Sequence, residues 1–268
     1  MKIWILSLSL LLAACATSPT GRSQLMLVSP RQAIAASAEA YVETLKPLQE
    51  EGKVDTNPAT SKRVRLITGK IIAQALQLFP DARSWDWSVK VLDDPETVNA
   101  WCMAGGKMAI YTGLLEQIKP TDDELAQVMG HEISHALANH TAEKMSVAMA
   151  TSAGLLAVSV ATKDSEHRNL ALTGASLAAA VAIKLPNSRT AEAEADQIGI
   201  ELAARAGYNP DAAVSLWRKM EQVDKNKIPE FLSTHPSPAN RIEKLQQLAD
   251  QVRPYYLQKI DRPVYPLD

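Results

Sequence analysis

The chain has 268 residues, 46% of them hydrophobic and 22% charged, with a formal net charge of -2. That composition is globular and the length fits one large domain or two small ones. The near-neutral balance argues against a nucleic-acid partner, which demands a basic face, so no nucleic acid is expected. With aromatics at only 5% and an Ala-rich middle, the chain points to helices rather than a β-sandwich, and no solenoid repeat is visible. The fold class expected is α+β, mostly α.

The first residues are read as targeting rather than fold. Met1-Lys2 supplies a positive start, and Ile3 to Leu12 is an apolar run too short to span a bilayer as a mature helix. It ends in Leu12-Ala13-Ala14-Cys15, which resembles the lipobox of bacterial lipoproteins; the competing reading is an ordinary secretory signal that ends near a cysteine. The lipobox implies lipidation of Cys15, a periplasmic location and membrane attachment through acyl chains. Ala16 in place of Asp implies sorting to the outer membrane rather than the inner. The expected division is a signal peptide at 1–14, a flexible tether at 15–28, a catalytic domain at 29–253 and an extended tail at 254–268. Lipid on Cys15 leaves Cys102, between Trp101 and Met103, as a small buried apolar residue rather than a nucleophile.

From Ser29 to about Glu51 the pattern is helical: Ser29-Pro30 caps it, and Ile34, Ala38, Tyr41, Val42 and Leu45 recur at helical spacing. A second helix is expected from Ala59 to Phe79, with Val64, Ile67, Ile71, Ile72, Ala75 and Leu76 on one face and Pro80-Asp81 as its stop. Strands follow. Trp85 to Val91 alternates apolar and polar residues, and Val98–Met103 and Met108–Thr112 flank Gly105-Gly106 as a hairpin. Asn99 to Ala104, with Asn99 and Ala100 foremost, is the candidate edge strand for pairing with an extended substrate; a purely structural hairpin is the alternative.

The next helix begins with a capping box, Thr121 as cap and Glu124 three residues on, with acids at the positive end of the dipole. It carries His131-Glu132-Ile133-Ser134-His135. Two histidines four apart project from one helix face and can bind one metal ion, and the glutamate between them can take a proton from water. This H-E-x-x-H spacing is the pattern of zinc hydrolases. The apolar stripe Leu125, Val128, Met129, Ala136 and Leu137 places both histidines at the border of a semi-buried cleft.

Beyond His140 the chain loses its charges: residues 145–162 and 169–183 have none, and a helical hairpin is expected there, packed on the domain or resting on the membrane surface. Pro186 breaks it and Ser188 caps a further helix that ends at Gly207-Tyr208-Asn209-Pro210. Another helix runs from about Pro210 to Val223. A loop at Ser233–Pro238 leads into a last helix at 239–252, capped by Ser237.

A catalytic zinc site needs a third protein ligand and an open fourth position. His140 would suit a metzincin, but that pattern needs Gly at 138 and His at 141, where Ala138 and Thr141 stand. His140 is therefore expected at a helix end, facing the dipole. Glu192 and Asp196 lie four apart on one face, so Glu192 is the expected ligand and Asp196 the acid that receives a ligand histidine's N–H. Glu194 points about 200° away from Glu192 and would lack such a partner, since Ile198 stands four residues on.

His131-Glu132-x-x-His135, Ser188-Arg189, Glu192-x-x-Ala195-Asp196 and Thr234-His235-Pro236 together resemble the gluzincin peptidase family of HtpX and the type I CAAX prenyl endoprotease. Asn99-Ala100, Gly105-Gly106, Gly113-Leu114-Leu115 and Ala206-Gly207-Tyr208-Asn209-Pro210 extend the resemblance from about Asn99 to Arg241, nearest to periplasmic members of the BepA and LoiP type. The resemblance implies a zincin-like helical domain and a Zn2+ endopeptidase of envelope quality control. Its substrates would be misfolded proteins, with outer-membrane assembly machinery as a partner. It also implies a role for His235, either stabilising the oxyanion or closing the metal site as an extra ligand. The rival readings are a chaperone-like or assembly-factor lipoprotein with a latent metal site, and a zinc hydrolase of a non-peptide bond.

Overall fold

The computed structural model describes residues 15–161, 188–222, 230–236 and 240–268. The fold is α+β and mostly α, with the motif helix packed among four other helices and one strand. In chain order the elements are β1 (Cys15–Thr17), β2 (Ser23–Leu25), α1 (Pro30–Glu50), α2 (Pro58–Leu78), β3 (Ser88–Leu92), β4 (Ala100–Met103), β5 (Lys107–Tyr111), α3 (Asp122–Leu137) and α4 (His140–Ala161). After them come α5 (Arg189–Arg205), α6 (Ala212–Gln222), α7 (Glu230–Thr234) and α8 (Arg241–Leu257).

Local chemistry sets most helix starts. Ser29 and Gln32 form a reciprocal capping box on α1, Asn57 accepts from the N–H groups of Ala59 and Thr60 at α2, and Thr121 with Glu124 closes the expected box on α3. The α2 stripe Val64, Ile67, Ile71, Ile72 and Ala75 is buried in the main core as its spacing predicts. The stripe on α1 is narrower than expected. Ala33, Ser37, Tyr41 and Leu45 are buried whereas Ala38 and Val42 are exposed, because α1 touches the domain only along one seam, through small satellite clusters.

The three-stranded sheet has the order β3-β5-β4, with β3 parallel to β5 and β4 antiparallel to it, so β4 is an edge strand beside α3. The β4–β5 turn takes Gly105 and Gly106 at φ of 82° and 80°, which β-carbon-bearing residues rarely adopt. The motif helix differs from expectation. Rather than lining a half-open cleft with one face, α3 is buried on all sides from Glu124 to Leu137. Its neighbours α2, α5, α6 and β4 pack around it, and an Ala- and Gly-bearing helix with no exposed charge beyond Glu124 can be enclosed in this way.

Four further segments can be set beside the sequence reading. Residues 15–28 are not a loose tether: β1 and β2 pair as an antiparallel hairpin, and Ser18 and Gln24 are buried against the domain. Helix α8 continues past 253, through Pro254 to Leu257, giving up the one backbone hydrogen bond that the proline cannot donate. The tail is tied down beyond it, with Arg262 donating to the carbonyls of Arg205 and Tyr256 and the N–H of Tyr265 donating to Gly69 O at 2.9 Å. Ser233 and Thr234 belong to α7 rather than a loop, and α8 starts at Arg241 with Asn240 before it; the Ser237 cap lies outside the described residues. Of the expected hairpin at 145–183, only α4 to Ala161 is described, and among the described residues no helix is long and apolar enough to cross a membrane.

Candidate metal centre

Two helices bring the site together. On α3, His131 and His135 stand one turn apart with ring centroids 4.7 Å from each other, edge to face. On α5, capped by Ser188, Glu192 lies in the first turn and is fully buried. The helices approach most closely at Gly130 and Gly199, where a β-carbon on either would lie 2.8 Å from the other's backbone. That contact lets the Glu192 carboxylate reach both imidazoles: Oε2 is 3.3 Å from His131 Nε2, and Oε1 is 3.4 Å from His135 Nε2. His235, following α7, enters from the third side, with Nδ1 3.2 Å from His131 Nε2 and 3.0 Å from Glu192 Oε1. Phe231 stacks on its ring at 4.5 Å, and the Phe231 N–H donates to Val98 O, fixing α7 beside the start of β4.

Four donor atoms of His131, His135, Glu192 and His235 thus lie within 4.8 Å of one another, all buried. Hydrogen bonding alone satisfies them poorly. A neutral imidazole nitrogen offers one proton or one lone pair, yet His131 Nε2 faces His135, His235 and Glu192 at 3.1–3.3 Å. A tetrahedral zinc ion with bonds of 2.0–2.1 Å would set its ligand atoms about 3.3 Å apart. The observed 3.0–3.4 Å between neighbouring donors fits such an ion, and the borderline-soft nitrogen and carboxylate set suits zinc.

The surroundings tune these side chains. Burial alone would raise the Glu192 carboxyl, but His131, His135 and His235 hold it well below the usual carboxylate range. Burial pushes His135 well below its ordinary value, which leaves a lone pair free for a cation. His131 is pulled down by burial and lifted by Asp196 and Glu192, to about 9 when no cation competes. Its Nδ1 lies 3.0 Å from Asp196 Oδ1, so Glu192 and Asp196 do share the face that points at the histidines. Arg241, nearly fully buried and stacked 3.6 Å over the Trp217 ring, donates to the same Asp196 oxygen at 2.7 Å.

Glu132 is 2% exposed, and its Oε1 has no hydrogen-bond partner among the described residues; His235 Nε2 lies 3.5 Å from it. Burial raises its pKa, and the backbone N–H of Cys102 donates to the carboxylate. That donation defines the free edge of β4. Asn99 O accepts from Tyr111 N–H on the β5 side, so the N–H and C=O groups of Ala100 and Cys102 point outward, and Ala100 N–H is held by its neighbour's Asn99 Oδ1 at 2.9 Å. Asn99 and Ala100 therefore stand at the start of this edge strand, both of them buried.

Sequence reasoning missed three residues and misjudged one. His140 does not simply face a dipole: at the start of α4, its Nδ1 lies 2.7 Å from His135 Nδ1 and its Nε2 lies 3.1 Å from Glu194 Oε2. Glu194 points away from Glu192 as its spacing requires, yet it reaches the site through His140. Arg22 and Arg241 pair with Glu194 and Asp196, from opposite ends of the chain. The sequence offered only proximity as a signal: His140 stands five residues after His135 and Glu194 two after Glu192.

Residues 58–249 match Peptidase family M48, an interval that contains His131, Glu132, His135, Glu192 and His235. The mitochondrial metalloendopeptidase OMA1 of Bos taurus is 35% identical over 245 residues, covering 87% of this chain and 45% of its own. The human protein of that name is 34% identical over 249 residues, with the same coverages of 87% and 45%. The beta-barrel assembly-enhancing protease of Yersinia pestis is 31% identical over 166 residues, covering 60% of this chain and 34% of its own. The chain spans less than half the length of each of these relatives. With the family match covering most of the chain and the metal-binding geometry inside it, this chain belongs to peptidase family M48.

Proposed function

We propose that the chain is a zinc-dependent endopeptidase, one zinc per chain, that cleaves misfolded or misassembled proteins of the bacterial cell envelope. The observation that carries this reading is the convergence of His131 Nε2, His135 Nε2 and the Glu192 carboxylate, 3.1–3.4 Å apart, next to a buried Glu132 with an unpartnered oxygen. Zinc held by those three residues would supply Lewis acidity, making water a nucleophile near neutral pH and polarising a peptide carbonyl. Glu132 takes the proton from that water, a task suited to a carboxylate whose pKa burial has raised, and passes it to the departing amine nitrogen. The outward groups of Ala100 and the Cys102 carbonyl pair with an extended substrate, for which Asn99 Oδ1 must release the Ala100 N–H, while the Cys102 N–H stays on Glu132. His235 Nδ1 is the fourth member of the donor set, which supports a latent arrangement; displaced from it, the ring would offer an N–H to the oxyanion.

Attachment to the periplasmic face of the outer membrane through a lipid on Cys15 is inferred from Leu12-Ala13-Ala14-Cys15-Ala16, and contact with outer-membrane assembly machinery from the likeness to the beta-barrel assembly-enhancing protease of Yersinia pestis. Digestion of an unfolded protein such as casein tests the activity. Glu132→Gln should lose 10²–10⁴-fold in rate, on the order expected for a general base, while retaining stoichiometric zinc. Cleavage persisting in metal-clean Glu132→Gln protein would refute the assignment. Labelling with a radioactive fatty acid, lost in Cys15→Ser, tests the anchor.

A further inference from the structure

The two ligand histidines are oriented from opposite directions. His131 is held from within the core, by Asp196 and Arg241. His135 is held from outside the α3–α5 pair, along a line of groups that ends in the β1–β2 hairpin. Each proton on that line is determined by the one before it. His135 Nε2 faces the donor cluster and must present a lone pair there, so its proton sits on Nδ1. That N–H meets His140 Nδ1 at 2.7 Å, which must then be the acceptor, placing the His140 proton on Nε2. His140 Nε2–H donates to Glu194 Oε2 at 3.1 Å. Glu194 is completed by the hairpin: Thr20 Oγ1 donates at 2.7 Å and Arg22 Nε at 3.0 Å. The remaining Arg22 N–H groups grip Glu143 on α4 at 2.7 and 2.6 Å, and Gln24 donates to both Glu143 and Ala138 O just past the end of α3.

A purely structural clasp between hairpin and domain needs Arg22 and two carboxylates. It does not need a histidine interposed between Glu194 and a metal ligand, with both of its nitrogens used. We propose that His140, Glu194 and Arg22 are positioning residues for His135, so that docking of the 15–25 hairpin and retention of the metal ion are coupled. This rests on the reading that His131, His135 and Glu192 hold zinc. It makes the segment that starts at Cys15 part of the site: displacing that hairpin, for instance by movement of a membrane anchor, loosens the metal.

The test measures zinc affinity by chelator competition on the full chain, and the visible absorption bands of the Co(II)-substituted protein. Both are read alongside thermal melting. Glu194→Gln and His140→Phe should weaken zinc by about 10–100-fold, the range typical of groups that orient metal-bound histidines, and should shift the Co(II) bands. His140→Asn, whose amide oxygen can accept the His135 N–H, should recover part of the loss. Arg22→Gln should show a smaller loss in the same direction. Asp55→Asn, which loosens the fold far from this line, should leave affinity and bands at wild-type values. Glu194→Gln and His140→Phe proteins that melt earlier yet bind zinc like wild type would overturn the proposal, leaving the hairpin a structural clasp. Should either fail to fold, His140→Asn and Arg22→Gln decide on the same criterion. A wild-type chain that binds no zinc would overturn the metal-site reading itself.

Discussion

Replacing Gly199 with alanine should damage both the fold and the metal site, although Gly199 touches no ligand side chain. An added β-carbon would stand 2.8 Å from Gly130 C and His131 N and 2.9 Å from His131 Cα, where ordinary contact begins near 3.4 Å. All three obstacles are backbone atoms of α3, so no side chain can swing aside, and the helices must part by about 0.6 Å to restore contact at 3.4 Å. Overpacking of this kind costs about 1–3 kcal/mol. Glu192 lies two turns away on the same helix, about 10 Å along its axis, and α5 moves as a rigid rod. A shift near 0.6 Å exceeds the roughly 0.2 Å tolerance of a zinc–ligand bond. The expected result is a lower urea midpoint for the apo chain and zinc affinity weakened by an order of magnitude or more. Gly154→Ala on α4 is the control: among the described residues nothing lies within 4 Å of its new β-carbon, so stability should hold or rise by up to about 1 kcal/mol. A Gly199→Ala protein matching wild type in both midpoint and zinc affinity would refute the claim that this backbone contact sets the ligand geometry.

Other consequences follow from the same geometry. His235→Ala removes the fourth donor, so zinc should bind more weakly while casein cleavage speeds up several-fold; slower cleavage with zinc retained would assign His235 to the oxyanion instead. Asp55 accepts from Val91 N–H at 3.0 Å and Ser61 Oγ at 2.9 Å and pairs with Arg65 at 2.6 Å. Burial pushes its carboxyl up, but these partners together hold it below the ordinary 3.8. A depressed folded pKa means the contribution is complete above the unfolded value and lost as pH falls through the folded one. Urea unfolding should therefore show Asp55→Asn about 1–2 kcal/mol less stable at pH 7, with the gap narrowing below about pH 4. A gap of constant size down to pH 3 would show that the carboxylate's charge is not what matters.

The elements most legible in the sequence were those whose signals are local. The Thr121–Glu124 box, Ser188 before α5 and the Gly105-Gly106 turn act within a few residues, and the structure shows each where its chemistry puts it. Burial was less legible. The pattern on α3 suggested one apolar stripe, but the histidines and Glu132 are as buried as the leucines, because polar groups that satisfy one another or a cation can be enclosed. The same rule explains His140 and Glu194. Taken singly, each is an ordinary polar residue near a helix end. Only when α4 and α5 are set side by side do they become partners.

The sequence by itself determined the metal-binding pattern, since four-residue spacing on a helix fixes that His131 and His135 share a face, and likewise Glu192 and Asp196. It also determined that His140 could not act as a metzincin ligand, because Ala138 and Thr141 replace the residues that role requires. The tertiary structure decided what no spacing encodes. The Gly130–Gly199 crossing brings Glu192 to both histidines, the placement of α7 brings His235 to the fourth corner, and the hairpin at 15–25 supplies Arg22 to a line ending at His135. The physical reason is range. Capping and periodicity depend on atoms a few bonds apart, whereas these contacts join residues separated by dozens to more than a hundred positions, and only the packed core holds them together.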